Sequence, residues 1–150
     1  MNLSSGRWAR KTRLRLLHSK MTNFPIDLLK FDESGLIPAV VQDVDNKEVL
    51  MMGFMNRDAV LKTYSDGNVC FWSRSRGKFW IKGETSGMFL KTRAIRVNCE
   101  HNSLLILATP TGPTCHTGHE SCYYREVQEG GEWAEVAPVI ADPETLYGKK

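Results

Sequence analysis

Residues 98–124, NCEHNSLLILATPTGPTCHTGHESCYY, hold three of the chain's four cysteines and three of its four histidines. The apolar run Leu104, Leu105, Ile106, Leu107 inside that stretch reads as a strand. Cys99 precedes the run, while Cys115 and Cys122 follow it in a loop rich in Gly, Thr and Pro. A strand that turns back through such a loop would bring three sulfurs together, and three thiolates suit zinc. The spacing lacks the tight C-x-x-C pair of a zinc finger or ribbon. Spacing alone leaves two readings open: a metal site, or free thiols packing as small hydrophobes.

A chain of 150 residues suits one core and is short of two. No apolar run approaches the roughly 20 residues of a membrane helix, and the start is not that of a signal peptide. A reducing, cytoplasmic setting with no membrane partner is therefore expected, with the cysteines as thiols or ligands rather than disulfides. The net charge of +3 is unevenly spread. Residues 1–20 carry Arg7, Arg10, Lys11, Arg13, Arg15 and Lys20 with no acid, which leaves 14 basic against 17 acidic residues in the remainder. The body is not a nucleic-acid binder by charge. The basic opening is compatible with a transit peptide or a nucleic-acid arm, but a disordered extension or an overcalled start before Met21 is the favoured reading. Residues 21–127 are expected to form the domain, and 128–150, with Gly130-Gly131, Pro138 and Pro143, a loosely ordered tail.

Two β-rich runs, 39–44 and 48–54, flank a hairpin turn at Asp45-Asn46-Lys47. Asn56 caps a helix over 57–65 that Gly67 ends, and its apolar face covers a sheet. A strand over 68–73 sets Cys70 and Trp72 on one face and Phe71 on the other, with Cys70 as core filler. Residues 88–97 make another strand leading into Cys99, and 123–127 a last strand or short helix. Between them, SRSRGKFWIKGETSG gathers basic side chains, hydroxyls and glycines that let a backbone approach a ligand closely. The bland alternative is a solvated hairpin.

Three cysteine ligands leave zinc's fourth position to a histidine, which closes the site, or to water, which zinc acidifies towards neutral pH. His101, His116 and His119 all lie near enough to ligate or to move protons, and His116, beside Cys115, is the best proton-transfer candidate. Asn98, Glu100 and Asn102 alternate around Cys99, so an extended strand would point all three away from it. Oxygen ligands on one face suit magnesium, although one carboxylate with two amides makes a weak site.

GLIPAVVQDVDNKEVLMMGFMN, SRSRGKFWIKGETSG and CHTGHESCYYR together closely resemble the phosphoribosyl-AMP cyclohydrolases of histidine biosynthesis, over about residues 28–125. The resemblance implies hydrolysis of the N1–C6 bond of the adenine ring in 1-(5-phosphoribosyl)-AMP by a homodimer that uses zinc and magnesium. By position it puts the zinc cysteines on Cys99, Cys115 and Cys122, with Cys99 from one subunit and the other two from its partner. Its magnesium motif, Asp-Cys-Asp-x-Asp, falls on Asn98, Cys99, Glu100, His101 and Asn102, where two carboxylates have become amides. Arg74, Arg76, Lys78 and Lys82 are candidates for the two substrate phosphates, and Ser73, Ser75, Glu84, Thr85 and Ser86 for ribose or base. A single activity is expected, because no pyrophosphate-removing domain follows. The expected fold is α+β, a mostly antiparallel sheet with one main helix, in an obligate homodimer sharing its metal sites. A zinc nucleobase deaminase would need H-x-E and P-C-x-x-C, which are absent. A structural-zinc RNA-binding module would stack bases on Trp72, Phe79 and Trp80, but the acidic balance after Met21 argues against it.

Overall fold

The computed structural model describes residues 23–147; the expectations for residues 1–20 lie outside these. The central sheet has four strands in the order β2-β1-β6-β5. These are β1 (Leu36–Asp43), β2 (Val49–Asn56), β5 (Leu90–Val97) and β6 (Leu104–Pro110). β1 pairs antiparallel with β2, and β5 with β6, while the central pair β1 and β6 is parallel, Ala39 opposite Leu104 and Val41 opposite Ile106. Two two-stranded ribbons complete the chain: β3 (Cys70–Ser73) with β4 (Lys78–Ile81), and β7 (Arg125–Val127) with β8 (Trp133–Glu135). The fold is α+β with a mostly antiparallel sheet and one main helix, α1 (Arg57–Asp66). A second, five-residue helix, α2 (Pro143–Tyr147), ends the described chain.

Local chemistry accounts for the first half. Asp43 accepts hydrogen bonds from the Asp45 and Asn46 amides at 2.8 and 3.4 Å, and Lys47 takes φ +67° to close the β1–β2 turn where expected. Asn56 Oδ1 caps α1 by accepting from the Ala59 amide at 2.8 Å, and Gly67 ends it at φ +78°. Helix and β3 are stitched by Thr63, whose hydroxyl accepts from the Cys70 amide and donates to the Cys70 carbonyl.

Alternation on the strands builds the core. Ile37, Ala39 and Val41 of β1 and Leu104, Ile106 and Ala108 of β6 are all buried on one sheet face, beneath Ala59 and Val60 of α1 and Val69 and Phe71 around β3. Each large side chain of this set gains about 1.5–3 kcal/mol from burial. Cys70 is core, as expected, and burial pushes its thiol up to about 11. Phe71 is equally buried on the opposite face of β3, where it packs against Trp80. The strand lies between α1 and β2, and the Phe71 ring rests where a Cβ on Gly53 would be, 2.5 Å away.

Candidate active site

The loop after β6 folds back as a tight hydrogen-bonded turn. The Cys115 amide donates to the His119 carbonyl at 3.1 Å, Thr114 to Glu120 at 3.1 Å, and Gly118 to Cys115 at 3.0 Å. Gly118 sits at φ +85°, and a Cβ there would lie 2.0 Å from the Ala141 carbonyl oxygen, so only glycine fits. Farther on, the Cys122 amide donates to Leu50 of β2 at 2.8 Å, and Ser121 Oγ donates to Val49. These bonds set Cys115 and Cys122 close enough for each thiol to feel the other's charge. Cys115 is buried, and Cys122 opens to solvent at the residue level while protein crowds its sulfur. That desolvation, with Cys115 beside it, pushes the Cys122 thiol up to about 11; nearby Lys82 pulls the other way. A bound metal would reverse the shift, because coordinated thiols are deprotonated.

Next to this pair lies a cavity of about 290 Å³ lined by Met51, Arg76, Trp80, Lys82, Gly83, Glu84, Thr85, Ser86, His116, Cys122 and Tyr147. Seven of the residues expected from sequence thus meet here: Arg76, Lys82, Glu84, Thr85, Ser86, His116 and Cys122. The 83–87 loop supports them through Gly83 at φ +98° and Gly87 at +77°, with the Gly87 amide donating to Gly83 at 2.7 Å. Lys82 is 6% exposed, and burial lowers the pKa of its ammonium. His116 is exposed at the wall, open to proton exchange.

Other expected contacts lie elsewhere. Arg74 stacks its guanidinium 4.2 Å from the Phe54 ring centre, away from the cavity lining. Lys78 is exposed at the start of β4, and Ser73 and Ser75 face one another at 3.5 Å in the β3–β4 turn, where Ser73 Oγ also accepts from the Arg76 amide. His119 is buried, stacked on Tyr124 with centroids 3.5 Å apart, its Nδ1 2.7 Å from Thr117 Oγ1. Its role within the chain is to pack the loop. Tyr147 was not expected; its only sequence signal was an aromatic in a Pro-rich tail.

Cys99 does not join the other two cysteines within this chain, which corrects the simple picture of one strand folding back. It is exposed in the β5–β6 turn, at the start of β6, whereas Cys115 follows the end of β6. Seven extended residues at about 3.3 Å each place the two ends roughly 20 Å apart. Nor is the Cys99 segment extended. Asn98 Oδ1 accepts from the Asn102 and Ser103 amides at 2.9 and 3.0 Å, and His101 takes φ +60°. Asn98 Nδ2 donates to Asn102 Oδ1 at 2.6 Å, and Asn102 Nδ2 reaches Glu100 at 3.4 Å. Both amide oxygens are spent inside the turn, and a single carboxylate remains. These residues do not fit magnesium, which favours several free oxygens of high charge density. His101 is tied to the turn's surroundings, donating from Nδ1 to the Leu28 carbonyl at 3.1 Å.

A larger groove of about 690 Å³ opens beside this turn, lined mainly by apolar residues such as Phe24, Leu28, Leu29, Ile95 and Val97. Among the described residues it brings together no thiols and only one cation, Arg93, so the smaller cavity is the better active-site candidate despite its size. Among the described residues no group of three or more His, Cys, Asp or Glu side chains converges within the chain, and no helix is long and apolar enough to cross a membrane.

Residues 51–124 match the family model described as phosphoribosyl-AMP cyclohydrolase. The phosphoribosyl-AMP cyclohydrolase of Magnetococcus marinus is 47% identical over 121 residues, covering 81% of this chain and 93% of that protein. Those of Paracoccus denitrificans and Chlorobium chlorochromatii are 50% identical over 110 residues and 42% over 125, covering 91% of each relative and 73% and 83% of this chain.

Proposed function

The chain belongs to the phosphoribosyl-AMP cyclohydrolase family, hydrolases of histidine biosynthesis acting on a small molecule, and on that premise we propose that it opens the adenine ring of 1-(5-phosphoribosyl)-AMP by hydrolysing N1–C6. Water adds to C6, the N1–C6 bond breaks, and a proton is delivered to N1, leaving a carboxamide at C6 and a formimino group on N1. The observation that carries this reading is the Cys115–Cys122 pair beside a cavity walled by cations, hydroxyls and one exposed histidine.

Cys115 and Cys122 would hold zinc, with Cys99 of a second copy as the third thiolate. Support for sharing is geometric: two thiols lie close together and the third stands beyond the opposite end of β6, too far to reach its own chain's pair. When bound, zinc supplies Lewis acidity and activates water at neutral pH. The chain's own side chains do the rest. Arg76 and Lys82 face the cavity to hold phosphate groups, Arg76 from an exposed turn and Lys82 from a buried, desolvated position where its charge acts strongly. Thr85 and Ser86 offer hydroxyls to ribose. His116 stands at the wall in contact with solvent and delivers the proton to N1.

Turnover of phosphoribosyl-AMP by metal-stripped protein, followed by ultraviolet absorbance, tests the reading. Activity should return with zinc alone and gain little from added magnesium. Folded, dimeric protein that turns over nothing with any metal would overturn it.

A further inference from the structure

The C-terminal segment lies beyond the matched family region, 51–124, yet it is built into the site. The Ile140 and Ala141 amides both donate to the Gly118 carbonyl, at 2.9 and 3.2 Å, and His119 bridges to Val139. Gly118 closes the Cys115 turn, so this segment is fastened to the thiol-bearing loop itself. Asp142 then starts α2, its carboxylate accepting from the Glu144 amide at 3.0 Å and the Thr145 hydroxyl at 3.3 Å. One turn later Tyr147 lines the cavity, half-buried.

Two aromatic residues face that cavity, and they are not equivalent. Trp80 is already engaged: Phe71 packs against it with centroids 5.5 Å apart, and the Lys82 ammonium lies 5.5 Å from its ring centre. Among the described residues the Tyr147 side chain has neither an aromatic partner nor a hydrogen bond to another side chain of its helix, whose side-chain bonds run from Asp142 to Glu144 and Thr145. An open electron-rich ring in a cavity that also holds the Glu84 carboxylate attracts a flat cation that presents its face. An adenine alkylated at N1 is such a cation.

Resting on the proposed cyclohydrolase reading, we propose that Tyr147 is a substrate-binding residue whose ring face receives the positively charged N1-alkylated purine. It distinguishes that ring from the neutral adenine of ordinary nucleotides. Trp80, loaded with Lys82, shapes the wall instead.

The test uses the full-length zinc-loaded protein with Tyr147→Ala and Tyr147→Phe. Two probes are titrated calorimetrically, AMP and N1-methyl-AMP, which differ in ring charge. Wild type should prefer the methylated probe by about tenfold, Tyr147→Phe should keep most of that preference, and Tyr147→Ala should reduce it to near unity. With phosphoribosyl-AMP, KM should rise about tenfold in Tyr147→Ala while kcat stays within about twofold, the pattern of lost uniform binding. A general packing defect would weaken both probes equally, so an unchanged preference in Tyr147→Ala overturns the proposal, as does a Tyr147→Phe variant as impaired as Tyr147→Ala. If wild type binds the probes as stated but turns over no substrate, the cyclohydrolase reading fails and the role of Tyr147 in ring selection stands.

Discussion

The two ends of β6 carry cysteines in opposite settings. At the far end Cys115 is buried and Cys122 clipped to β2, and cations, hydroxyls and a histidine surround a cavity. At the near end Cys99 stands exposed in a turn whose polar side chains bond to one another and to the turn's own backbone. One end is organised to receive a ligand and the other to hold a single thiol outward. On the proposed reading each end carries part of a metal site that two copies would complete, and zinc binding would then be linked to association.

The largest expected effect breaks the comparison outright. Cys115→Ala and Cys99→Ala should each abolish zinc uptake and turnover. Mixing the two inactive variants after unfolding should recover roughly a quarter of wild-type activity, since half the dimers are mixed and each of those holds one intact site of two. No recovery on mixing, with mixed dimers verified by mass spectrometry, would sink the shared site.

Next comes Gly118→Ala, which forces a Cβ into the Ala141 carbonyl at a positive φ. It should cost about 2–4 kcal/mol by denaturant titration and lower zinc occupancy with it. Full zinc affinity in a destabilised variant would separate the loop's anchoring from its ligand role.

The near end gives a smaller effect. Asn98→Asp combined with Asn102→Asp puts two carboxylates in the places of amides now 2.6 Å apart. Repulsion at this exposed site should cost about 1 kcal/mol without divalent ions, relieved by millimolar magnesium, whereas wild-type melting should ignore magnesium. Equal magnesium sensitivity in wild type would show that the turn binds the ion as it stands.

The smallest expectation concerns the Lys62–Asp66 pair on α1, 2.7 Å apart and outside the lining of the Cys115–Cys122 cavity. Bonding to Lys62 lowers the Asp66 pKa, and bonding to Asp66 raises that of Lys62. The Asp66 contribution is therefore present above its unfolded value of 3.8 and is lost as pH falls through the lower folded one. The Lys62 contribution is present below 10.5 and is lost as pH rises through the higher folded value. Both groups are largely solvent-exposed, so Lys62→Met should change stability by less than about 0.5 kcal/mol and leave turnover unaltered across that range.

Much of the fold was legible because its signals are local. The turn at Asp45-Asn46-Lys47, the Asn56 cap and the Gly67 stop each depend on a side chain and the backbone within a few residues of it. Clustering of Arg76, Lys82, Glu84, Thr85 and Ser86 in one wall was readable for the same reason, since the β3–β4 turn and the loop just after β4 carry them. What stayed illegible depends on distant partners: Arg74 stacks on Phe54, and the Cys99 segment, expected to be extended, curls into a turn held to Leu28 through His101. The tail expected to be loose carries β8 and α2, because the thiol loop supplies its hydrogen-bond partners at Gly118 and Tyr124.

By itself the sequence determined which residue types are available: three soft ligands around one strand, a basic glycine-rich segment, and two amides with one carboxylate where three carboxylates would make a cation site. These are matters of composition and short-range order. Only the tertiary structure decided that two thiols meet and the third stands apart, and that Tyr147 closes the same cavity. The reason is that the parallel pairing of β1 with β6 fixes which end each loop occupies, and no residue within the loops carries that register.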